Sequence, residues 1–188
     1  MAIKLHLGCG SKKISGYTNI DMIATDAVDE VDDIRYLQRY DKNSVDVIYA
    51  CHVLEHISRT EYKQVLSRWY DILKPGGVLR LSIPDLEKWF LYCLEKNNFR
   101  LILGALYGEQ DNIYNSHKMG WTEKTIKEDL LEIGFLSVED YDWRETEHSD
   151  VKDWSRDYLP YCDDSNQQLS DEEWFKGRFV NVNVEAIK

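Results

Sequence analysis

The chain has 188 residues, 43% of them hydrophobic and 12% aromatic, so one domain can bury a sizeable core. Its formal net charge of −11 disfavours non-specific binding to nucleic acid or to anionic membranes, since phosphate contacts need clustered Lys and Arg. No apolar run approaches membrane-spanning length, and the N-terminus does not read as a signal peptide. The dispersed cysteines Cys9, Cys51, Cys93 and Cys162 favour neither a zinc site nor a disulfide framework, so we expect a cytoplasmic protein.

The first recognisable element is a short buried strand, residues 4–7, that runs into the turn Gly8-Cys9-Gly10. Glycine lacks a Cβ, so the backbone can turn sharply there and approach a ligand closely. In α/β sheets the first strand-to-helix turn is a usual ligand site. A Gly-x-Gly turn is weak evidence by itself, so the residues after it must decide the ligand class.

Strands and helices alternate through the first two-thirds of the chain, which predicts an α/β fold: a doubly wound, mostly parallel sheet with helices on both faces. After the first strand, the predicted strands are residues 17–21, 28–33, 45–50 and 78–83. Two later strand-like segments, 135–141 and 179–187, are joined without a clear helix, so we expect an antiparallel edge strand.

The clearest helix begins after Ser58, whose spacing from Glu61 predicts a capping box in which each side chain satisfies a free backbone amide. Apolar residues follow at helical spacing as far as Leu73, and Pro75 then stops the helix. A second helix is predicted over residues 85–103. Thr122 and Gly134 are typical cap residues of a third.

Two stretches fit no regular element. Residues 104–121 are irregular and rich in polar and aromatic side chains, and we expect them to cap the site. Residues 142–176 form an acidic insertion that nonetheless holds several tryptophans and tyrosines. Loops of this length are often lids or binding loops, although these aromatics can equally serve to anchor the loop on the core. We predict a single domain, residues 1–188, that carries both elaborations.

Asp21 ends the second predicted strand, where a carboxylate can accept hydrogen bonds from both hydroxyls of a ribose. A dinucleotide site needs G-x-G-x-x-G and an acid about 20 residues later. Here Ile14 stands at the third glycine position, and Asp21 follows too soon for a long helix. The residues therefore disfavour NAD and FAD, and a ligand with ribose and adenine but no phosphate fits better.

Further segments occur in a characteristic order. An acid opens residues 33–37, residues 44–56 contain a buried strand followed by His52, and residues 73–77 form a Pro-Gly-Gly turn. With residues 5–10 and Asp21, these segments resemble the motifs of class I S-adenosylmethionine-dependent methyltransferases over most of the chain. Each motif is modest alone, but their joint order and spacing are specific.

The resemblance implies a Rossmann-like, seven-stranded sheet and S-adenosylmethionine as cofactor, with S-adenosylhomocysteine as product. In this family the acid at the position of Asp21 binds the ribose and the acid at the position of Asp33 contacts the adenine amino group. The residues assigned to cofactor binding are Gly8, Cys9, Gly10, Asp21, Met22, Asp33, Ile34, Cys51 and His52. No residue is assigned to a metal.

The chain departs from the family pattern at His6, where an acid usually helps to orient the methionine end of the cofactor. Lys12 stands where a third small residue is common, and the first helix is shortened. These departures leave open how the methionine end is held.

Methyl transfer to a hydroxyl or amine needs alignment and a base that removes the proton. Histidine titrates near neutrality, and three histidines are candidates. His117 lies in the region expected to cover the site, His52 follows the fourth strand, and His148 opens the late insertion. We rank His117 first and interpret His56 as structural.

The sequence therefore predicts a methyltransferase acting on a small-molecule or carbohydrate acceptor, at oxygen. One alternative is a non-catalytic S-adenosylmethionine-binding regulatory or interaction module, which the substitution at His6 keeps open. A weaker alternative is a dehydrogenase-type enzyme acting on nucleotide sugars. No motif identifies the acceptor or the oligomeric state.

Overall fold

The structure is a computed structural model that describes residues 2–161 and 167–188. The strands, in chain order, are β1 (Lys4–Leu7), β2 (Thr18–Asp21), β3 (Glu30–Val31), β4 (Val45–Cys51), β5 (Leu73–Pro84), β6 (Ser137–Asp140), β7 (Tyr158–Leu159), β8 (Arg178–Phe179) and β9 (Asn181–Ile187). The α-helices are α1 (Tyr62–Ile72), α2 (Leu86–Lys96), α3 (Leu103–Tyr107), α4 (Glu123–Ile133) and α5 (Asp171–Trp174).

The main sheet has seven strands in the order β3-β2-β1-β4-β5-β9-β6, which confirms the predicted Rossmann-like, mostly parallel architecture. The chain builds outward from β1 to β3 and then returns to the other side of β1 to place β4. Strand order therefore reverses between β1 and β4, and the crevice at their carboxyl ends is where such sheets bind ligands.

One strand runs against the others, as predicted. It is β9, which pairs antiparallel with both β5 and β6. The prediction placed this strand at the edge, whereas it lies one strand inside the edge that β6 occupies. Seven residue pairs join β9 to β5 and four join it to β6, so residues 184–187 of β9 have a partner strand on each side.

One face of the sheet carries the main hydrophobic core. Alternate residues of the central strands, such as Leu5, Ile48 and Leu79, point to this face and are fully buried. Helices α1 and α4 pack over them, and Trp69 of α1 also donates its indole N–H to the carbonyl of Ile34 at 2.8 Å. Burial of large apolar side chains here is the main stabilising contribution of the fold.

The opposite face carries a row of polar side chains in register across neighbouring strands. The row consists of Asn19, His6, Tyr49, Arg80 and Glu185. We expected helices on this face as well, but over β1 and β4 it is covered by loop residues such as Ile14, Tyr17 and Val151. The segment between β1 and β2 is too short to form a helix that covers this face. Residues of the insertion 142–176, such as Val151, cover it instead.

The insertion is tied to this polar face through Glu147. Its carboxylate accepts hydrogen bonds from Lys4 at 2.8 Å, Tyr17 at 2.6 Å and Arg80 at 2.9 Å. Partial burial favours the neutral acid, yet these donors hold the pKa of Glu147 well below its usual range. The late segment is therefore anchored on the sheet, and its carboxylates occupy defined positions.

Most aromatic side chains of the insertion serve as anchors. Trp143 is buried and packs against Phe175 with ring centroids 5.2 Å apart, and Tyr158 packs against Phe179 at 5.1 Å. Two others, Trp154 and Tyr161, line a cavity. Some aromatic residues of the insertion thus anchor the loop on the core, and others line a cavity as a binding loop would. Residues 162–166 of the insertion lie outside the described part of the chain.

The predicted helix caps are confirmed in one case and wrong in another. Thr122 and Gly134 flank α4 as expected, and Thr122 forms a capping box with Thr125. At α1, by contrast, the Ser58 hydroxyl donates to the Glu61 carboxylate at 2.5 Å, so the two side chains satisfy each other instead of backbone amides. Helix α1 begins one residue after Glu61 without a side-chain cap.

The described residues contain no helix that is both long enough and apolar enough to cross a lipid bilayer. Cys9, Cys51 and Cys93 are free thiols, and Cys162 lies outside the described ranges.

Candidate active site

Two adjoining cavities lie at the carboxyl ends of β1 and β4. The first has a volume of about 520 Å³ and the second about 800 Å³. Residues that line both cavities, and so form the passage between them, are Gly8, Gly10, Ser11, His52, His56 and Asn115. Residues 104–121 contribute to the walls of both cavities.

The glycine turn after β1 needs its glycines for two different reasons. Gly8 has φ +62°, and a Cβ there would stand 2.4 Å from Cγ2 of Val53. Gly10 has φ +53°, but a Cβ there would meet nothing within 4 Å. The backbone at Gly8 is therefore held close to the residue after His52, which brings the ends of β1 and β4 together.

Asp21 is fixed by the same turn. One carboxylate oxygen accepts the Gly10 amide at 2.8 Å, and the other accepts the Ile23 amide at 2.9 Å. The side chain is only partly buried and lines the larger cavity. Its remaining lone pairs face that cavity, where they are available to a pair of vicinal hydroxyls.

Asp33 also lines the larger cavity, but its carboxylate is engaged. Arg35 contacts both of its oxygens, with distances of 3.0 Å from Nε and 2.6 Å from Nη2. Partial burial favours the neutral acid, yet these hydrogen bonds lower the pKa of Asp33 below its usual value. The predicted contact between Asp33 and an adenine amino group therefore has to use the lone pairs that Arg35 leaves free.

His6 is neutral and has a defined tautomer. Asn19 donates its side-chain amide to the carbonyls of Ile14 and Tyr17, so its oxygen faces His6, whose Nδ1 lies 2.9 Å away. His6 Nδ1 therefore carries the hydrogen, and Nε2 is left with a lone pair. Burial lowers the pKa of His6 below its usual value, and the ring lines the smaller cavity. A hydrogen-bond acceptor thus remains where the family has an acid.

Each of the nine residues predicted to bind the cofactor lines one or both cavities. Asp21, Met22, Asp33 and Ile34 line the larger cavity, whereas Cys9 and Cys51 line the smaller one. Their roles in cofactor binding stay predictions.

Two of the three histidines predicted to be catalytic, His52 and His117, line the smaller cavity. His52 has φ +52°, a conformation that is costly for a residue with a Cβ and that often marks functional sites. Burial lowers the pKa of His52 to about 3, so its ring is neutral.

His148 lies elsewhere. It is buried on the polar face, with its ring centroid 4.2 Å from that of Tyr49, and it lines neither cavity. Burial lowers the pKa of His148 to about 4. Its location therefore does not support the predicted role as a base.

A cluster formed by Glu55, His56 and His117 lies against the smaller cavity; we call it the His–Glu cluster. One potential ligand atom from each of the three residues lies within 4.8 Å of the others. Glu55 is 1% exposed, and neither of its oxygens accepts a hydrogen bond of normal geometry from any residue that the structure describes. His52 Nδ1 lies 3.4 Å from one of these oxygens.

The far side of the smaller cavity combines carboxylates with aromatic rings. Asp153 accepts the Tyr49 hydroxyl at 2.6 Å, and Asp157 accepts the Tyr161 hydroxyl at 2.8 Å. Burial raises the pKa of Asp157 to about 7, so it can donate as well as accept a hydrogen bond near neutrality. The other lining side chains with aromatic or acidic character are Trp89, Trp154 and Glu109.

Sequence reasoning missed Glu55, Asp153 and Asp157, and interpreted His56 as structural. Glu55 had a detectable signal, because a charged residue inside the apolar run Val53-Leu54-Glu55 is unusual for a buried turn. Asp153 and Asp157 had none, since they are two among many acids of the insertion.

Comparisons with known proteins agree with this architecture. Residues 5–81 match a family model described as a methyltransferase domain. No match is found among curated proteins. A SAM-dependent methyltransferase from Archaeoglobus fulgidus is 17% identical with a TM-score of 0.58, over 100% of this chain and 86% of that one.

Two further solved structures share the fold. A 1,6-didemethyltoxoflavin-N1-methyltransferase from Burkholderia thailandensis is 13% identical with a TM-score of 0.58, over 100% of this chain and 71% of that one. An S-adenosylmethionine-dependent methyltransferase from Mesorhizobium loti is 14% identical with a TM-score of 0.53, over 99% of this chain and 90% of that one. The family match over residues 5–81, the strand order and the motif residues around the two cavities support the resemblance of the chain to class I S-adenosylmethionine-dependent methyltransferases.

Proposed function

We propose that the protein transfers the methyl group of S-adenosylmethionine to a hydroxyl oxygen of a small polyhydroxylated acceptor such as a carbohydrate. The observation that carries this proposal is the smaller cavity. It adjoins the passage between the two cavities and is lined by carboxylates and aromatic rings.

The cofactor would span the two cavities. Its adenosine would lie in the larger one, with the ribose hydroxyls on Asp21, and its methionine would pass Gly8 and Gly10 towards His6. The ammonium group of the methionine can donate to the free Nε2 of His6. In this arrangement a neutral acceptor would serve where the family has an acid.

The acceptor would occupy the part of the smaller cavity beyond the sulfur. Sugars present hydroxyl donors around their rim and apolar C–H faces, and proteins bind them with carboxylate acceptors and aromatic faces. Asp153 and Asp157 supply the acceptors, and Trp154, which is 56% exposed, supplies an open aromatic face. An amine acceptor would also be attracted by these carboxylates, so the atom that is methylated must be tested directly.

The reaction is an in-line displacement. The acceptor oxygen forms a bond to the methyl carbon while the carbon–sulfur bond breaks, and its electron pair stays on sulfur to give neutral S-adenosylhomocysteine. The hydroxyl proton passes to a base or to water. The protein contributes alignment of oxygen, carbon and sulfur, and a neutral imidazole of His52 or His117 at the cavity wall can accept the proton.

The test is a screen of acceptors with S-adenosylmethionine carrying a labelled methyl group. Monosaccharides, nucleotide sugars and polyols form one arm, and primary and secondary amines form the other. We expect S-adenosylhomocysteine to form with a member of the first arm and mass spectrometry to show a methyl ether. Turnover confined to amines would overturn the assignment to oxygen, and Asp21→Ala is the control for label transfer that does not depend on the cofactor site.

A further inference from the structure

We propose that the His–Glu cluster binds a divalent transition-metal ion of the Zn²⁺ type, which holds the acceptor hydroxyl next to the methyl group. The proposal rests on the proposed function for its catalytic role, but the metal site itself follows from side-chain geometry alone. One carboxylate and two imidazoles, with open positions towards a cavity, are a frequent ligand set of such ions.

The first argument is the state of Glu55. A carboxylate with two buried oxygens and no hydrogen-bond donor is costly unless a cation or proton compensates it. Among the described residues, Glu55 has one ion-pair contact, with His52, whose Nδ1 lies 3.4 Å from one of its oxygens. The carboxylate is thus buried without the partner that its burial requires.

The second argument is the orientation of the two imidazoles. His117 donates its Nδ1–H to the carbonyl of Ala105 at 2.8 Å, and His56 donates its Nδ1–H to the carbonyl of Ser116 at 3.3 Å. With the hydrogen on Nδ1, each neutral ring carries its lone pair on Nε2. A backbone carbonyl on one ring nitrogen is the usual second contact of a metal-ligating histidine, because it fixes the tautomer and the ring orientation.

The third argument is that the local backbone is built to bring these residues together. The amides of Lys118 and Met119 donate to the carbonyl of Glu55 at 2.8 and 3.2 Å, which fastens the cap segment to the turn after β4. Gly108 permits the approach of the same segment, since a Cβ there would stand 2.9 Å from Cδ2 of His117. These backbone contacts hold His117 next to Glu55 and His56, although it is about 60 residues away from them in the sequence.

The spacing suits a metal after small movements. Ligand atoms about 2.1 Å from a metal stand roughly 3.0–4.2 Å apart, and the three ligand atoms here lie within 4.8 Å of one another. His56 and His117 line the smaller cavity, whereas Glu55 lies behind them, so the open coordination positions would face the acceptor. A dication at that point would lower the pKa of a bound hydroxyl and fix its oxygen for attack. With its Nε2 on the metal, His117 would be a ligand and not the base, and the hydroxyl proton would pass to His52 or to water.

The test measures metal binding directly on untagged, chelator-treated protein. Isothermal titration with Zn²⁺ and visible absorption with Co²⁺ are recorded for the wild type, Glu55→Gln and His117→Ala. His148→Ala is the matched control, because it removes a buried histidine outside both cavities. Circular dichroism establishes that each variant is folded, and titration with S-adenosylhomocysteine measures the cofactor site separately.

We expect one Co²⁺ or Zn²⁺ per wild-type chain and affinity lower by about 100-fold or more in Glu55→Gln and His117→Ala, with His148→Ala unchanged. Glu55→Gln is nearly isosteric, so its loss of binding cannot be attributed to a cavity. Folded wild type that binds neither ion, equal affinity in all four proteins, or tighter binding of Mg²⁺ than of Zn²⁺ would overturn the proposal. If S-adenosylhomocysteine binds and the metals do not, this inference fails while the proposed function stands.

Discussion

Replacing Gly8 by Ala is expected to disrupt the active site through one identifiable contact. The new Cβ would stand 2.4 Å from Cγ2 of Val53, a distance that side-chain atoms do not adopt. Relief of such overpacking costs about 1–3 kcal/mol, and a left-handed φ adds about 1–2 kcal/mol for a residue with a Cβ. We therefore expect Gly8→Ala to lower the free energy of unfolding by roughly 2–5 kcal/mol.

Gly10→Ala is the matched control within the same turn. Its φ is similarly left-handed at +53°, but its Cβ would meet nothing within 4 Å. Only the backbone cost of about 1–2 kcal/mol should remain. The difference between the two variants isolates the contact with Val53.

The double variant Gly8→Ala/Val53→Ala completes a thermodynamic cycle. Val53→Ala removes the methyl group that the new Cβ would strike, so part of the loss in Gly8→Ala should be recovered. We expect a coupling energy of about 1–3 kcal/mol between the two sites. Urea unfolding followed by two independent spectroscopic probes gives each value and tests two-state behaviour. Equal losses in Gly8→Ala and Gly10→Ala, together with zero coupling, would refute the proposed role of the contact.

Two further predictions concern the buried histidines. His6→Phe keeps a ring beside Tyr49 but removes the Nε2 acceptor. The affinity for S-adenosylhomocysteine, measured by calorimetric titration, should therefore fall about 5- to 30-fold. Unchanged affinity would exclude the proposed contact between His6 Nε2 and the ammonium group of the cofactor. The pKa of His148 is lowered to about 4, so the unfolded chain binds its proton first as the pH falls. His148 should therefore contribute a loss of up to about 3 kcal/mol to the fall in wild-type stability between about pH 6.5 and 4. The free energy of unfolding, measured with urea at pH 7, 6 and 5, should fall less with pH in His148→Phe than in the wild type. Equal pH dependence of the two proteins would show that protonation of His148 does not cause the loss of stability.

The sequence contained enough information to predict the central strands and the approach of the glycine turn to Asp21. Parallel strands end at one edge of the sheet, so the Gly8-Cys9-Gly10 turn and Asp21 were expected to meet there, and the Gly10 amide does donate to Asp21. The helical spacing that begins at Tyr62 reflects burial on one face, and α1 lies where that spacing predicts. Local periodicity and turn chemistry are short-range signals, and these features depend on little else.

The acceptor side depends on long-range contacts and was not predictable in the same way. His117 joins Glu55 only because amides of the cap segment bond to the Glu55 carbonyl, and no local pattern records that pairing. The polar face shows the same limitation. From the sequence, His6 was only a departure from the family motif. Its role as a hydrogen-bond acceptor depends on the tautomer that Asn19 fixes, and Asn19 lies on the neighbouring strand β2.

The central claim, that the cavities at the ends of β1 and β4 bind S-adenosylmethionine through Asp21, is tested most directly by calorimetric titration with S-adenosylhomocysteine. We predict one site per chain in the wild type. Asp21→Ala would remove the charge-assisted hydrogen bonds to the ribose and the hydrogen bond that holds Gly10. We expect the binding free energy for S-adenosylhomocysteine to weaken by about 3 kcal/mol, which lowers the affinity by more than about 100-fold. Folded wild-type protein that binds no S-adenosylhomocysteine, or Asp21→Ala that binds it equally well, would contradict the account.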